Sequence, residues 1–258
     1  MISVSVDNKN QLNEVLGIKK VGEVIINRES FNDFDIKDLI IDIKNKQKKA
    51  TLMLETISRL CQNDNDEKLN KLLNIDGIDS IVVKNINSFY YILNNIHRKL
   101  SITFDYNMNI YNNYSKQYYK DLCKANDIDC KFVAPVELNF HELRELNFDY
   151  IVVYGYLPLM VTKNCIFKNT GECKLNQYDT IYDRLNKGLR FRSYCNFCYN
   201  KIFNSVPLDV RDNEFIKAND INYRYDFTFE DASLIKPIIF NEYEISDRTK
   251  GHYIKTVI

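Results

Sequence analysis

The chain reads as an α/β protein of the (β/α)8 TIM-like barrel class, with a cysteine-rich insertion after the seventh strand. Three observations predict it. Short apolar, β-branched runs recur from the second residue onward, separated by stretches of helical period. Such alternation implies a parallel sheet covered by helices. Seven units precede Tyr156, an eighth follows the cysteines, and 258 residues suit one barrel domain, 1–258, with 157–210 as its insertion. An open doubly wound sheet is the runner-up, but the seven glycines are too scattered for a G-x-G-x-x-G phosphate loop.

The predicted strands, in order, are Ile2–Val6, Glu23–Asn27, Ala50–Leu54, Ser80–Val83, Ser101–Phe104, Lys131–Ala134, Tyr150–Tyr154 and, after the cysteines, Asn222–Phe229. Ile36, Leu39, Ile40 and Ile43 repeat at helical spacing, as do Phe89, Ile92, Leu93 and Ile96. Leu69, Leu72 and Leu73 give a shorter stripe. Tyr114–Ala125, Phe140–Leu146 and the run from Glu230 to Ile245 read as further helices.

Composition sets limits on function. Hydrophobic residues make up 45% and charged residues 27%, ordinary for a globular domain. The formal net charge of zero argues against a broad nucleic-acid surface, while leaving room for a local basic groove. The N-terminal "MISVSVDNKNQ" lacks the pattern of a signal peptide. The longest apolar run, "IVVYGYLPLMV", is too short for a helical membrane span. A cytoplasmic protein is expected.

Seven cysteines, an odd number without a secretion signal, do not form a disulfide framework. Cys165, Cys173, Cys195 and Cys198 cluster as C-x7-C, twenty-one residues, then C-x2-C. Four thiolates suit zinc or an iron–sulfur cluster, and two thiolates on one tight turn can reach a single ion. Four unrelated buried cysteines are the plainer alternative. Conventional hydrolase motifs are missing. "FHELREL" starts like a zinc-protease helix, but Glu145 stands where the second His is needed, and there is no G-x-S-x-G.

Strand ends supply the other candidates, because the active face of a barrel lies at the C-terminal ends of its strands. These are Asp7, Glu55, Lys84, Asp105, Glu137, Tyr154 and Asp226, with Asn107 and Asn109 following Asp105 directly. Crowded carboxylates serve as acid and base or bind a cation; helix capping is the bland alternative. His252, after a glycine near the C-terminus, is a further candidate, with a structural role as its rival.

Several stretches resemble the collagenase-like peptidase family, the U-thirty-two group, and its C-terminal catalytic-type region in particular. They are "FDYNMNIYNN", "APVELNFHELREL", "VVYGYLPLMVTKNC", "YDRLNKGLRFRSYCNFCYNKIFNSVPL" and "DRTKGHYIKTVI". The matching order runs from about Ser101 onward, with a weaker likeness in "ISVSVDNKNQL".

The resemblance implies a four-iron four-sulfur cluster on Cys165, Cys173, Cys195 and Cys198, with structural zinc as the alternative. Of the candidates, Asp105, Asn109, Glu137 and His252 are expected to be catalytic, and Tyr154, Tyr156, Arg184 and Asp226 to contact substrate. Tyr156 stands where the family often has Arg, and "APVEL" varies a Ser-Pro-Glu-Leu segment. The usual N-terminal opening of full-length members is absent, so a partner chain supplying that region is expected.

Three functional readings stay open. One is an iron–sulfur oxidative, hydroxylase-type enzyme acting on RNA or a small aromatic substrate. Another is a metal-assisted peptidase. The last is a non-catalytic module stapled by a structural metal. The four cysteines are expected to converge, with Asp105, Asn109 and Glu137 on the same mouth.

Overall fold

In a computed structural model of the chain, residues 1–57, 63–96, 98–165, 167, 177–218 and 221–254 are described. The first half alternates strand and helix: β1 (Ile2–Val6), α1 (Lys9–Gly17), β2 (Val21–Asn27), α2 (Asp33–Asn45), β3 (Lys49–Met53), α3 (Asn63–Leu73), β4 (Ser80–Val83), α4 (Ile86–Asn95) and β5 (Ser101–Phe104). It continues through α5 (Asn113–Ala125), β6 (Asp129–Phe132), α6 (Phe140–Leu146) and β7 (Tyr150–Gly155). The cysteine-bearing segment forms β8 (Pro158–Thr162), β9 (Tyr178–Tyr182), β10 (Gly188–Tyr194) and β11 (Tyr199–Phe203). Then come β12 (Leu208–Asp209), α7 (Glu214–Ala218), β13 (Asn222–Asp226) and α8 (Ala232–Ile239).

The expected closed (β/α)8 barrel is not formed. A nine-stranded, mostly parallel sheet, in the order β12-β7-β13-β1-β2-β3-β4-β5-β6, curls without closing, and β8 to β11 build a separate four-stranded antiparallel sheet. The reason lies at the seam. Closure needs a continuous ladder between β6 and β7, yet among the described residues they share one bridge, Val133 to Tyr150, with the Ala134 N–H on the Tyr150 carbonyl and the Asp149 N–H on the Phe132 carbonyl beside it. Pro135, just past that bridge, has no N–H to extend a ladder. The rest of that edge of β7 is taken by β12, which pairs antiparallel with Tyr154 and Gly155.

Alternation along the strands divides two environments. Val4, Val24, Leu52, Ile81 and Phe104 belong to the main apolar core, together with Leu12, Ile36, Ile40 and Phe89 from the helices. Phe104 stacks on Phe132 at 5.0 Å and meets Phe89 edge-on at 5.0 Å. Each such side chain contributes about 1.5–3 kcal/mol by burial. The intervening positions face the inside of the curl. There Ile25, Met53 and Val82 form a small separate cluster amid Ser5, Glu23, Thr51, Ser80 and Thr103, all buried. Glu23 is satisfied by Thr51 at 2.6 Å, Tyr150 at 3.0 Å and Lys49 at 2.9 Å.

The abundant asparagines work in the local structure. Asn8, Asn85, Asn112 and Asn139 each cap a helix N-terminus by accepting from its first-turn N–H groups, and Asn139 with Glu142 completes a capping box. Asn109, Asn147, Asn186 and Asn241 take left-handed backbone, which Asn tolerates better than most residues.

Candidate functional site

The C-terminal ends of β1 to β5 and β13 converge on one side of the sheet, where open α/β folds place ligands. They deliver Asp7, Arg28, Glu29, Glu55, Lys84, Asp105 and Asp226. Gly155 makes room for this gathering: its φ is +147° and an added Cβ would lie 2.6 Å from the Asp226 carbonyl oxygen.

The antiparallel sheet lies over this mouth and contributes cations. Lys201 of β11 pairs with Glu29, and Arg192 of β10 pairs with Asp7. Glu29 is fully buried and also accepts from Lys84 at 3.0 Å, from the Thr56 N–H at 2.7 Å and from the Tyr199 hydroxyl. Burial alone would raise the Glu29 pKa; Lys201 and Lys84 overcome that and hold the carboxylate below its usual range. Burial pushes the Lys201 ammonium down to about 8, with Lys84 adding to the shift and Glu29 opposing it.

A second group surrounds Arg224, buried inside the curl. It donates to Asp105 at 2.6 Å and to Asp226 at 2.7 Å. Burial raises the Asp226 carboxyl; Arg224 opposes this and Asp105 reinforces it. A third pair joins Arg28 to Glu55 at 2.8 Å, with Arg28 also forked onto Asp33 at 3.0 and 2.9 Å.

The sequence-derived candidates divide on placement. Asp105 and Asp226 lie in the paired mouth; Tyr154 is buried at the end of β7, its hydroxyl donating to Glu230 at 2.9 Å and its ring 5.7 Å from the Arg211 guanidinium. Asn109 and Glu137 are exposed near it; Asn109 accepts from Tyr111 at 3.0 Å, and the Glu137 charge raises Tyr111 and Tyr253 after burial does. His252 is exposed beside buried Tyr253. Arg184 is exposed in the β9–β10 turn and makes no described contact with the mouth.

Tyr156 belongs to an aromatic group at the rim. It meets Phe229 edge-on at 5.2 Å, and Phe203 and Tyr178 meet the same ring at 5.1 and 6.0 Å. The Arg190 guanidinium lies 4.7 Å from the Tyr156 ring and 5.3 Å from Phe229.

Sequence reasoning missed Glu29, Arg192, Tyr199, Lys201 and Arg224. Two of them follow the strand logic, since Glu29 lies just past β2 and Arg224 on the eighth predicted strand. The others sit in a segment whose cysteines drew the reading.

Cys173 lies outside the described residues. Cys195 and Cys198 bracket a 3-10 turn, and the β8–β11 ladder, with Asn200 opposite Thr162, brings the chain just before Cys165 to the same end of the small sheet. Asn200 donates to the Asn164 carbonyl at 2.7 Å there. Thiolates are suitable donors for such a group. Among the described residues, however, no three His, Cys, Asp or Glu side chains gather as a metal site.

A cavity of about 460 Å3 lies elsewhere, beside β12, lined in part by Arg144, Asp209, Asp212, Arg248 and Lys250. Asp209 is buried in it under Arg211 at 2.8 Å and Arg248 at 3.2 Å. No described helix is long and apolar enough to cross a membrane.

No family model and no curated protein matches this chain. Among solved structures, the U32 peptidase Mk0906 is similar over 60% of this chain and 70% of its own, with 10% identity and a TM-score of 0.47.

Proposed function

We propose that the chain is an enzyme whose substrate presents an aromatic ring, either a nucleobase of RNA or a small aromatic molecule, to the mouth of the curled sheet. The half-buried Arg190, held against Tyr156 and Phe229 at the rim, carries this reading. Its described contacts are ring faces rather than a carboxylate, so its charge is available to an anionic group on a ligand whose ring stacks alongside.

Behind the rim, Lys201 and Asp226 are the proposed proton-moving groups. Burial brings Lys201 to about 8 and raises Asp226, so both approach the range where proton transfer is easy. Asp105 orients through Arg224. Cys165, Cys173, Cys195 and Cys198 are the proposed ligands of an iron–sulfur cluster, with zinc as the alternative; a bound cluster would supply electron transfer. Their crowding in sequence and the shared sheet end of the described three support this.

The test is anaerobic purification with iron, sulfide and zinc analysis, beside titration with nucleosides and aromatic acids. Wild type should carry iron and sulfide that Cys195→Ser loses, and Arg190→Ala should weaken aromatic binding about tenfold, the roughly 1–2 kcal/mol of a desolvated cation–π contact. A colourless wild type with stoichiometric zinc would sink the cluster. Peptide cleavage that survives chelation and Cys195→Ser would put the peptidase reading first.

A further inference from the structure

Among the described residues the antiparallel sheet ends at β9, whose outer edge pairs with no described strand, and its hydrogen-bonding phase can be read. Ser193 N–H donates to the Gln177 carbonyl at 2.9 Å, and Asp183 N–H donates to the Lys187 carbonyl at 3.0 Å. In an antiparallel ladder only every second residue pair exchanges such bonds. Asp179 and Ile181, paired with Phe191 and Leu189, therefore spend their backbone groups on β10. Tyr178, Thr180 and Tyr182 turn theirs outward. The described hydrogen bond to those outward groups is a weak guard, Thr180 N–H on the neighbouring Asp179 carboxylate at 2.7 Å.

The side chains on this edge are unusually exposed for their type. Tyr178 is 69% accessible and Tyr182 68%. The β9–β10 turn is firm, since the Asp183 carboxylate accepts from Leu185 and Lys187 N–H at 2.8 Å each. Natural proteins blunt edges with Pro, Lys or bulges. None of these stands within Tyr178–Tyr182.

We propose that β9 is a homodimer edge, pairing antiparallel with β9 of a second copy about a two-fold axis through Thr180. The strand reads Y-D-T-I-Y, a near palindrome centred on Thr180. Around that axis Tyr178 meets the partner's Tyr182 and Tyr182 meets the partner's Tyr178, both aromatic cross-strand pairs. Asp179 falls opposite the partner's Ile181 rather than the partner's Asp179, so like charges are kept apart. The centre of the palindrome is also a residue with outward backbone groups, as a hydrogen-bonded pair on the axis requires. A centre at Asp179 or Ile181 would satisfy neither condition. An isologous contact of this kind closes on itself. The seam is one short strand, below the roughly 1,200–2,000 Å² of a stable interface, so the dimer forms on concentration and parts on dilution.

The experiment is sedimentation of the full chain across a wide concentration range, with disulfide trapping in a glutathione disulfide buffer. On the axis, two hydrogen-bonded residues lie about 5.5 Å apart between Cα atoms, within the span of roughly 4.4–6.8 Å that a disulfide bridges. Thr180→Cys should cross-link more than tenfold faster than the equally exposed Lys187→Cys, with mass spectrometry locating the bond at residue 180 of both copies. Thr180→Pro should stay monomeric at every concentration. Its lost N–H points away from β10, so its melting curve should match wild type. If Thr180→Pro fails to fold, the Thr180→Cys comparison decides. A wild type that never dimerises, a Thr180→Cys that links no faster than Lys187→Cys, or a dimer untouched by Thr180→Pro would each overturn the proposal. So would a monomer that takes up an unrelated extended peptide along β9 in place of its own copy.

Discussion

The two sheets treat polar and apolar side chains in opposite ways. The curled parallel sheet takes Glu29, Lys84, Asp105 and Arg224 out of water and pairs each of them. The small antiparallel sheet leaves Leu159, Met160, Tyr178 and Tyr182 in it. A buried charge is fixed by its partners, and losing one partner exposes the full penalty of the other. An exposed ring is fixed by little and remains available to a ligand or a second chain. Buried charge pairs, to which β10 and β11 lend Arg192 and Lys201, form the rigid part, and the exposed rings of β9 form an open contact surface.

The contrast breaks most visibly at Glu29. Glu29→Leu deprives buried Lys84 and Lys201 of the carboxylate they both contact, and should lower stability by about 5 kcal/mol in denaturant unfolding. A loss under about 1 kcal/mol would mean that the site is wetter than its burial implies. Arg224→Met should cost less, about 3 kcal/mol, because Asp226 is already raised and relieves the strain by taking up a proton. The same measurement repeated at acid pH should show that deficit shrinking.

Titration sharpens the comparison further. Glu29 and Glu23 both have folded pKa values held below the unfolded value of about 4.3. Their contribution is present above that value and is lost progressively as pH falls below it, through the lower folded values. Lys201 works in the other direction. Its folded value of about 8 lies below the roughly 10.4 of an unfolded lysine. The unfolded chain binds the extra proton between those limits, so this group adds stability as pH climbs from about 8 to 10.4. Denaturant midpoints measured against pH check both arms, and a flat profile from pH 7 to 3 would refute the acid one. The smallest effect belongs to the other sheet: Tyr182→Ser should change stability by no more than about 0.5 kcal/mol, as an exposed substitution does.

Much of the large sheet was legible because β-branched runs and helical stripes are local signals. Its eight parallel strands overlap the predicted ones within a few residues at their ends. Closure was not legible. It turns on Pro135 and on Leu208–Asp209, a two-residue strand that no periodicity announces. The mouth was half legible. Asp7, Glu55, Lys84, Asp105 and Asp226 follow from standing at strand ends. Lys201 and Arg192 could not, since their partners lie far away in the chain and "RFRSYCNFCYNKIF" offers cysteines more loudly than alternation. Asparagines that serve as caps and left-handed corners carry no periodic signal of their own.

The position of β13 between β1 and β7 carries a kinetic consequence. The first strand has one neighbour, β2, close behind it; its other edge waits for Tyr223 to Asp226. During synthesis that edge stays open until nearly the whole described chain has left the ribosome. Contacts of such long sequence separation make folding slow and lengthen the time for which a bare strand edge is available to other chains. A ribosome-bound chain stopped before Asn222 would hold Arg224's partner Asp105 without its arginine. Protease sensitivity along β1 should then fall sharply once the stop is moved far enough past Phe227 for β13 to emerge from the ribosome.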